Sequence, residues 1–372
     1  MYYTINMDKI SQKISTETSW DLYTTNDGGW DAMLSACESA KESIDLEQFI
    51  FMTDDIGKRF IDICSKKANE GVKVRFLWDA AGSFSFFGSN IVEELKAKGI
   101  ELVFFKTLFP SIFKFHKYRS WYFRNHKRTL VIDNKIGFTG SICVSDKMRN
   151  WRDTVVKIDG PVVEEMQKEF ERTWNRALGK KSEKIKRVKS REEFRYVTNY
   201  PFPKRHLLYK EIIEAIRNAK KSIYITTPYF IPTRHLSKIL RSASRRGVDI
   251  KVIVPQWSDH SEVDLCSRSF FMKMLKVGIK IYLYKGEMIH SKTITIDGTW
   301  SSVGTLNLDS VSLLYNFEAN IISTNNLFTK ELVEHFSMDL KDTEEVTIES
   351  WKNRYWFEKL STSFMRLFRD FL

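Results

Sequence analysis

Apolar residues along the chain fall into short stretches that switch between a helical spacing and an unbroken run. Residues 36–51, ACESAKESIDLEQFIF, and 60–79, FIDICSKKANEGVKVRFLWD, each join an amphipathic stretch to a compact, β-branched one. Apolar positions three and four apart predict a helix, and an unbroken run of strand length predicts a strand buried on both faces. The order helix, strand, loop, helix, strand then recurs. It is written by residues 212–232, IIEAIRNAKKSIYITTPYFIP, and 236–255, LSKILRSASRRGVDIKVIVP. Gly71 and Gly247 stand where a helix should cap and turn into the next strand.

Each unit continues in the same way. IVEELKAKGIELVFF in the first half and FFMKMLKVGIKIYLY in the second predict another helix and strand. A hairpin should follow, turning at Asp133-Asn134 in NHKRTLVIDNK and at Asp297-Gly298 in IHSKTITIDGT. This alternation predicts two α/β lobes with central mixed sheets flanked by helices. The boundaries it suggests are residues 1–180 for the first lobe and 206–350 for the second, with a basic linker at 181–205. Residues 180–191, KKSEKIKRVKSR, hold seven bases and one acid, which marks the linker's start. A C-terminal amphipathic helix is expected over 351–372, with Trp356, Leu360, Phe364, Leu367 and Phe371 on its apolar face.

A length of 372 residues is enough for two lobes with full cores. The net charge of +12 favours a polyanionic partner, either nucleic acid or an anionic membrane surface. Cys37, Cys64, Cys143 and Cys266 lack the spacing of a zinc site or a disulfide framework and read as buried thiols. The opening residues MYYTINMDKISQK lack the apolar core of a signal peptide, and no apolar run reaches the length of a membrane span. Membrane contact is therefore expected to be interfacial. From Phe104 to Arg128 the chain carries nine aromatics, seven bases and no acid, a composition suited to lipid headgroups.

The chemistry is concentrated in the two hairpins. The first reads His126-x-Arg128, four residues, Asp133, six residues, Gly140-Ser141, with Asp153 downstream. The second reads His290-x-Lys292, four residues, Asp297, six residues, Gly304-Thr305-x-Asn307, with Glu318 downstream. Along an extended chain, residues i and i+2 share a face, so each histidine and its cation point the same way. Two such strands meeting between the lobes would converge two imidazoles and two cations on one pocket. That inventory suits transfer at a phosphodiester without a metal or other cofactor. One histidine attacks phosphorus and the other protonates the leaving alkoxide. Cations and small polar groups stabilise charge on the non-bridging oxygens.

These motifs, with IDLEQFIFMTDDIGKRF, NWRDTVVKIDGPVV, TTPYFIP and NFEANI, resemble the phospholipase D, or HKD, superfamily, and within it the bacterial cardiolipin synthases. The likeness runs from about residue 43 to 320. It implies two phospholipase D-like lobes with one active site at their pseudo-twofold interface. It also implies phosphatidyl transfer, joining two phosphatidylglycerols into cardiolipin through a phosphohistidine. By position, the resemblance makes His126 the nucleophile and His290 the acid and base, although sequence does not fix their order. It gives Arg128 and Lys292 phosphate binding, with Ser141, Thr305 and Asn307 beside them, and makes Asp153 and Glu318 orienting carboxylates. Asp133 and Asp297 complete the catalytic motifs in structural or supporting roles.

Two residues depart from the pattern: Arg128 replaces the motif lysine, and Cys143 stands where the second copy has Asn307. Lys127 takes the free position and is expected to face away. The partners implied are anionic phospholipids at the cytoplasmic face of a bacterial-type cell membrane, held peripherally. Hydrolysis of a phospholipid, or a membrane-binding protein with a weakened site, is the alternative. Nucleic acid, which related phosphodiesterases cleave, is disfavoured by the lipid-enzyme likeness of TTPYFIP and NWRDTVVKIDGPVV.

Overall fold

A computed structural model describes residues 18–86, 89–105, 123–180, 192–365 and 367. The first lobe runs β1 (Trp20–Thr25), α1 (Asn26–Ser39), β2 (Ser43–Gln48), α2 (Asp55–Asn69) and β3 (Lys73–Asp79). It continues with α3 (Ile91–Ala97), β4 (Ile100–Phe105), β5 (Thr129–Ile132), β6 (Ile136–Gly140), β7 (Arg152–Asp159) and α4 (Val162–Ala177). The second lobe begins with β8 (Phe194–Asn199), α5 (Leu207–Asn218), β9 (Ser222–Thr226), α6 (Arg234–Arg245) and β10 (Asp249–Pro255). Next come α7 (Ser261–Leu275), β11 (Lys280–Tyr284), β12 (Thr293–Ile296), β13 (Trp300–Gly304) and α8 (Ser310–Leu314). It ends with β14 (Glu318–Ser323), α9 (Asn326–Asp339), β15 (Thr343–Val346), α10 (Ile348–Lys352) and α11 (Trp356–Met365).

The sheets repeat each other strand for strand. The first has the order β1-β7-β6-β5-β2-β3-β4 and the second β15-β11-β10-β9-β12-β13-β14-β8. Read from the opposite end, the second is the first with β15 added at the far edge. In each lobe three parallel strands are joined through helices, and an antiparallel hairpin is laid beside the first of them. These are the mixed sheets expected from the alternating pattern. The parallel strands are apolar because helices cover one face and the partner lobe or further helices the other.

α1, α2 and α3 close one side of the first sheet over Trp30, Phe51, Phe60, Phe76 and Trp78, all buried. α5, α6 and α7 close the outer side of the second over Leu208, Ile212, Leu240 and Phe271. The inner faces share one core, in which Val131, Val156 and Met166 meet Tyr196, Val303 and Ile321. Both hairpins turn through left-handed backbone, with φ of +53° at Asp133 and +52° at Asn134, and +55° at Asp297 and +69° at Gly298. Two successive positive φ values give the turn whose twist matches paired strands. Gly71 and Gly247 take φ of +90° at the ends of α2 and α6, as their positions suggested.

Two boundaries differ from those read in the sequence. Residues 194–199 are not linker but the edge strand β8, paired with β14 in register from Phe194–Ser323 to Asn199–Glu318. The buried Phe194 and Tyr196, two apart, turn one face of this strand into the shared core. The C-terminal helix is also interrupted. Trp351 belongs to α10, which a Thr347–Ser350 capping box starts, and it packs against Phe271 of α7 with ring centroids 5.0 Å apart. The expected amphipathic helix is therefore α11, starting at Trp356. Residues 106–122, most of the aromatic and basic stretch, lie outside the described residues, as do 181–191 of the linker, 366 and 368–372. No helix among the described residues is long and apolar enough to cross a membrane.

Candidate active site

The two histidines lie just before the hairpin strands, in extended lead-ins that pair with the opposite lobe. His126 N donates to Phe317 O at 2.9 Å, and Phe317 N donates to Arg124 O at 2.9 Å. In the symmetric place, His290 N donates to Arg152 O and Arg152 N to Met288 O, both at 2.8 Å. Each bridge sets a histidine beside the residue that follows the bridging one, and that residue is a carboxylate. His126 Nδ1 lies 2.9 Å from Glu318 Oε1 and 3.0 Å from Oε2, and His290 Nδ1 lies 2.9 Å from Asp153 Oδ2. The clamps are crossed, so neither lobe holds a complete site.

The small residues of the motifs support the carboxylates. Ser141 Oγ donates to Asp153 Oδ1, and Thr305 Oγ1 donates to Glu318 Oε2. Ser312 Oγ adds a bond to Glu318 Oε1 at 2.8 Å. The glycine before Ser141 or Thr305 makes this close approach possible. A Cβ on Gly140 would stand 2.3 Å from Thr154 O, and one on Gly304 2.4 Å from Ala319 O. Any side chain there would push the strand away from its carboxylate-bearing neighbour.

Both cations are buried with the histidines. Lys292 Nζ donates to His290 O at 2.6 Å. Arg128 is held at more points, with Nε 2.9 Å from Cys143 Sγ, Nη1 3.2 Å from His126 O and Nη2 3.0 Å from His126 Nε2. Phe49 presents its ring to the guanidinium, with a centroid distance of 5.8 Å, and meets the His126 ring edge-on at 4.8 Å. On the other side Trp151 lies against His290 at 5.2 Å. Asn307 is buried, with its side-chain oxygen unpaired among the described residues.

Burial dominates the electrostatics. It drives His126 well below the ordinary imidazole range, and Arg128 and Lys292 add to the effect. It brings His290 down to about 4, with Lys292 acting the same way and Asp153 opposing. Lys292 itself is lowered to about 7 by burial, against Asp153 and with Arg128. The carboxylates diverge. Burial pushes Glu318 up to about 8 despite the hydroxyls of Thr305 and Ser312. Burial also acts to raise Asp153, but His290, Lys292 and Ser141 outweigh it and hold the group at about 2. A buried cluster with two basic side chains and only one strongly acidic carboxylate favours a phosphodiester anion.

Of the residues read from the sequence, His126, Arg128, Ser141, Asp153, His290, Lys292, Thr305, Asn307 and Glu318 are all buried, and hydrogen bonds and charge link all but Asn307 into one cluster. Asp133 and Asp297 do not join it. Each sits at its hairpin turn and accepts three backbone N–H bonds, from residues 41–43 and 220–222 respectively. An aspartate suits that place because its short carboxylate can gather several amides at once. Lys127 faces away, as its position implied, and donates to Glu169 at 3.0 Å with Glu47 at 3.3 Å.

Sequence reasoning missed Arg152 and Ser312. Arg152 Nε and Nη2 grip Asp339 of α9 at 2.7 and 2.8 Å, and Nη1 reaches Ser291 beside His290 at 3.1 Å. Its place next to Asp153 was the available signal. Nothing in the local pattern singled out Ser312.

The chain matches the family profile described as "Cardiolipin synthase, PLD-like domain" over residues 33–174 and 212–340. A cardiolipin synthase of Clostridium perfringens strain SM101 is 32% identical over 388 residues, covering 98% of this chain and 79% of that protein. A probable cardiolipin synthase of Bacillus subtilis is 31% identical over 386 residues, covering 100% of this chain and 76% of that one. Among solved structures, phosphatidylserine synthase from Haemophilus influenzae superposes with a TM-score of 0.72 at 12% identity, over 94% of this chain and 92% of that one. Polyphosphate kinase from Porphyromonas gingivalis gives 0.61 at 13% identity, over 95% and 53%. At those identities the likeness is one of fold.

Proposed function

The chain belongs to the cardiolipin synthase family of phospholipase D-like enzymes, and from that premise we propose that it joins two phosphatidylglycerols into cardiolipin and glycerol through a phosphohistidine. The observation that carries this reading is the crossed clamp, in which two buried imidazoles are each backed by the other lobe's carboxylate, with Arg128 and Lys292 beside them.

In the first half-reaction His126 Nε2 attacks phosphorus, the bond from phosphorus to the glycerol oxygen breaks, and His290 gives that oxygen its proton. In the second, His290 takes a proton from a hydroxyl of another phosphatidylglycerol as its oxygen attacks phosphorus. The N–P bond breaks and returns the electron pair to His126. Asp153 stabilises the imidazolium that forms on His290, as a buried carboxylate does behind a catalytic histidine. Lys292, Arg128 and the amide of Asn307 face the charge on the non-bridging oxygens.

Docking is peripheral, on an anionic bilayer. The support is the net charge of +12 and the outward apolar side chains of Trp257, Leu360 and Leu367, which are 59%, 65% and 73% exposed. The test is incubation with phosphatidylglycerol vesicles and mass spectrometry of the lipids. Cardiolipin with free glycerol supports the transferase. Phosphatidic acid alone would favour hydrolysis, and no lipid product alongside cleavage of nucleic acid would overturn the reading.

A further inference from the structure

The departure at residue 128 has a chemical consequence. A guanidinium offers only donors, because all of its nitrogens carry protons or positive charge. Arg128 Nη2 stands 3.0 Å from His126 Nε2, so that nitrogen must present its lone pair. The single proton of a neutral imidazole then sits on Nδ1, where Glu318 accepts it at 2.9 Å. The guanidinium has little freedom to leave. Cys143 Sγ accepts from Nε, the carbonyl of His126 accepts from Nη1, and Phe49 covers one face.

The second half-site is built otherwise. Lys292 spends its bond on the His290 carbonyl at 2.6 Å, and no donor is held against His290 Nε2 among the described residues. That nitrogen is open to a proton, and Asp153 stands behind the ring to stabilise the cation.

We propose that Arg128 is a positioning residue that holds His126 as the neutral Nδ1–H tautomer, and so divides the labour of the site, with His126 as nucleophile and His290 as acid and base. This rests on the phosphoryl-transfer reading above and adds the cause of its asymmetry. Formation of the N–P bond consumes the Nε2 lone pair, which breaks its bond with Nη2. The freed N–H then lies next to a non-bridging oxygen of the new phosphohistidine. One side chain thus serves the resting nucleophile and then the intermediate. A lysine, with its single compact ammonium on a flexible stem, lacks the fork that makes both contacts at once. Cys143 belongs to the same arrangement, since its sulfur accepts from Nε of the guanidinium that Lys292 lacks.

The experiment has two readouts. Nitrogen NMR of histidine-labelled protein, with the His126 signals identified by difference against His126→Ala, reads the tautomer at rest. Protonation at Nδ1 alone is expected in the wild type, and an Nε2–H form would overturn the proposal. Next, a p-nitrophenyl phosphodiester, whose leaving group needs no acid, is mixed with enzyme and quenched in alkali for peptide mass spectrometry. The adduct is expected on His126 alone in the wild type and on both histidines in Arg128→Met. The acid limb of the burst should move up by about one pH unit in that variant, because Arg128 no longer disfavours protonation of His126. Arg128→Lys should return the limb partway but not the single-site adduct.

If Arg128→Met does not fold, Cys143→Ala loosens the same guanidinium, and a smaller shift in the same direction is expected. A wild-type adduct on His290, no adduct at all, or variants with an unmoved limb would each overturn the assignment. Adduct on His126 without turnover of phosphatidylglycerol would sink the lipid reading and leave the assignment standing.

Discussion

Glu318 Oε1 lies 2.9 Å from His126 Nδ1, 192 residues away in sequence, and the hydrogen bond crosses the boundary between the two lobes. The bond exists only because the Asn125–Phe317 bridge brings one lead-in against the other lobe. Its partner, Asp153 behind His290, depends in the same way on the Arg152–Ile289 bridge. Replacing either carboxylate by its amide keeps the shape but removes the group that can carry negative charge behind a cationic ring, the His290 imidazolium or the phosphorylated His126. Glu318→Gln and Asp153→Asn should each lower kcat by about 10²–10⁴-fold with little change in KM. Steady-state kinetics on short-chain phosphatidylglycerol checks this, and a loss confined to KM would contradict an orienting role.

Lys292 makes substrate binding depend on pH. Its pKa is depressed to about 7, so the charged form that attracts phosphate is present below that pH and lost above it. In a His126→Ala background, where turnover is blocked, affinity for short-chain phosphatidylglycerol should fall by up to about tenfold per pH unit above 7. Lys292→Arg should flatten the slope, since arginine stays charged throughout. Calorimetric titration between pH 6 and 9 measures both, and equal slopes in the two proteins would exclude Lys292 as the titrating group.

Much of this was legible in the sequence because it is local. The turn pairs Asp133-Asn134 and Asp297-Gly298, the runs that became β2, β3, β9 and β10, and the His-x-cation spacing all carry their meaning within about ten residues. What could not be read depends on contacts between lobes. The motif names Asp153 and Glu318 but not which histidine each meets, since that follows from the bridges at 125–317 and 152–289. Asp133 and Asp297 look catalytic in the motif because hairpin turn and active site are written in one phrase. The strand carries them to opposite ends. β8 was hidden at the end of a basic stretch, and only pairing with β14 shows that Phe194 and Tyr196 face inward.

Arg152 is the clip that the motif does not advertise. It joins β7 of the first lobe to Asp339 of α9 in the second, and it reaches Ser291 beside His290. Both members of the pair are largely buried, so removing the cation leaves an uncompensated carboxylate inside the protein. Arg152→Leu should destabilise by about 3–5 kcal/mol, read from the urea midpoint at constant slope. The double variant Arg152→Leu/Asp339→Leu should recover part of that loss but not the rate, because Ser291 and the backbone of Asp153 lose an anchor in both proteins. Recovery of rate with stability would show that Arg152 acts on folding alone.

Asp133 and Asp297 should affect stability and not chemistry. Each carboxylate gathers three backbone N–H groups at 2.7 to 2.9 Å, fixing its hairpin to the start of a neighbouring strand. Alanine leaves those amides to water and removes a residue that tolerates the left-handed turn, at a cost of about 1–3 kcal/mol each. The sign with pH follows from the direction of the shifts. Burial acts to raise both pKa values, but the backbone donors outweigh it and hold them below the ordinary aspartate value. Their stabilisation is therefore present above the unfolded pKa and fades as pH falls through the folded one. The gap in urea midpoint between wild type and Asp133→Ala should be full at pH 7 and close progressively below about pH 4. kcat per folded molecule should stay within about threefold of wild type, as expected for residues outside the reacting cluster. A loss of several hundredfold at unchanged stability would return these aspartates to the catalytic machinery.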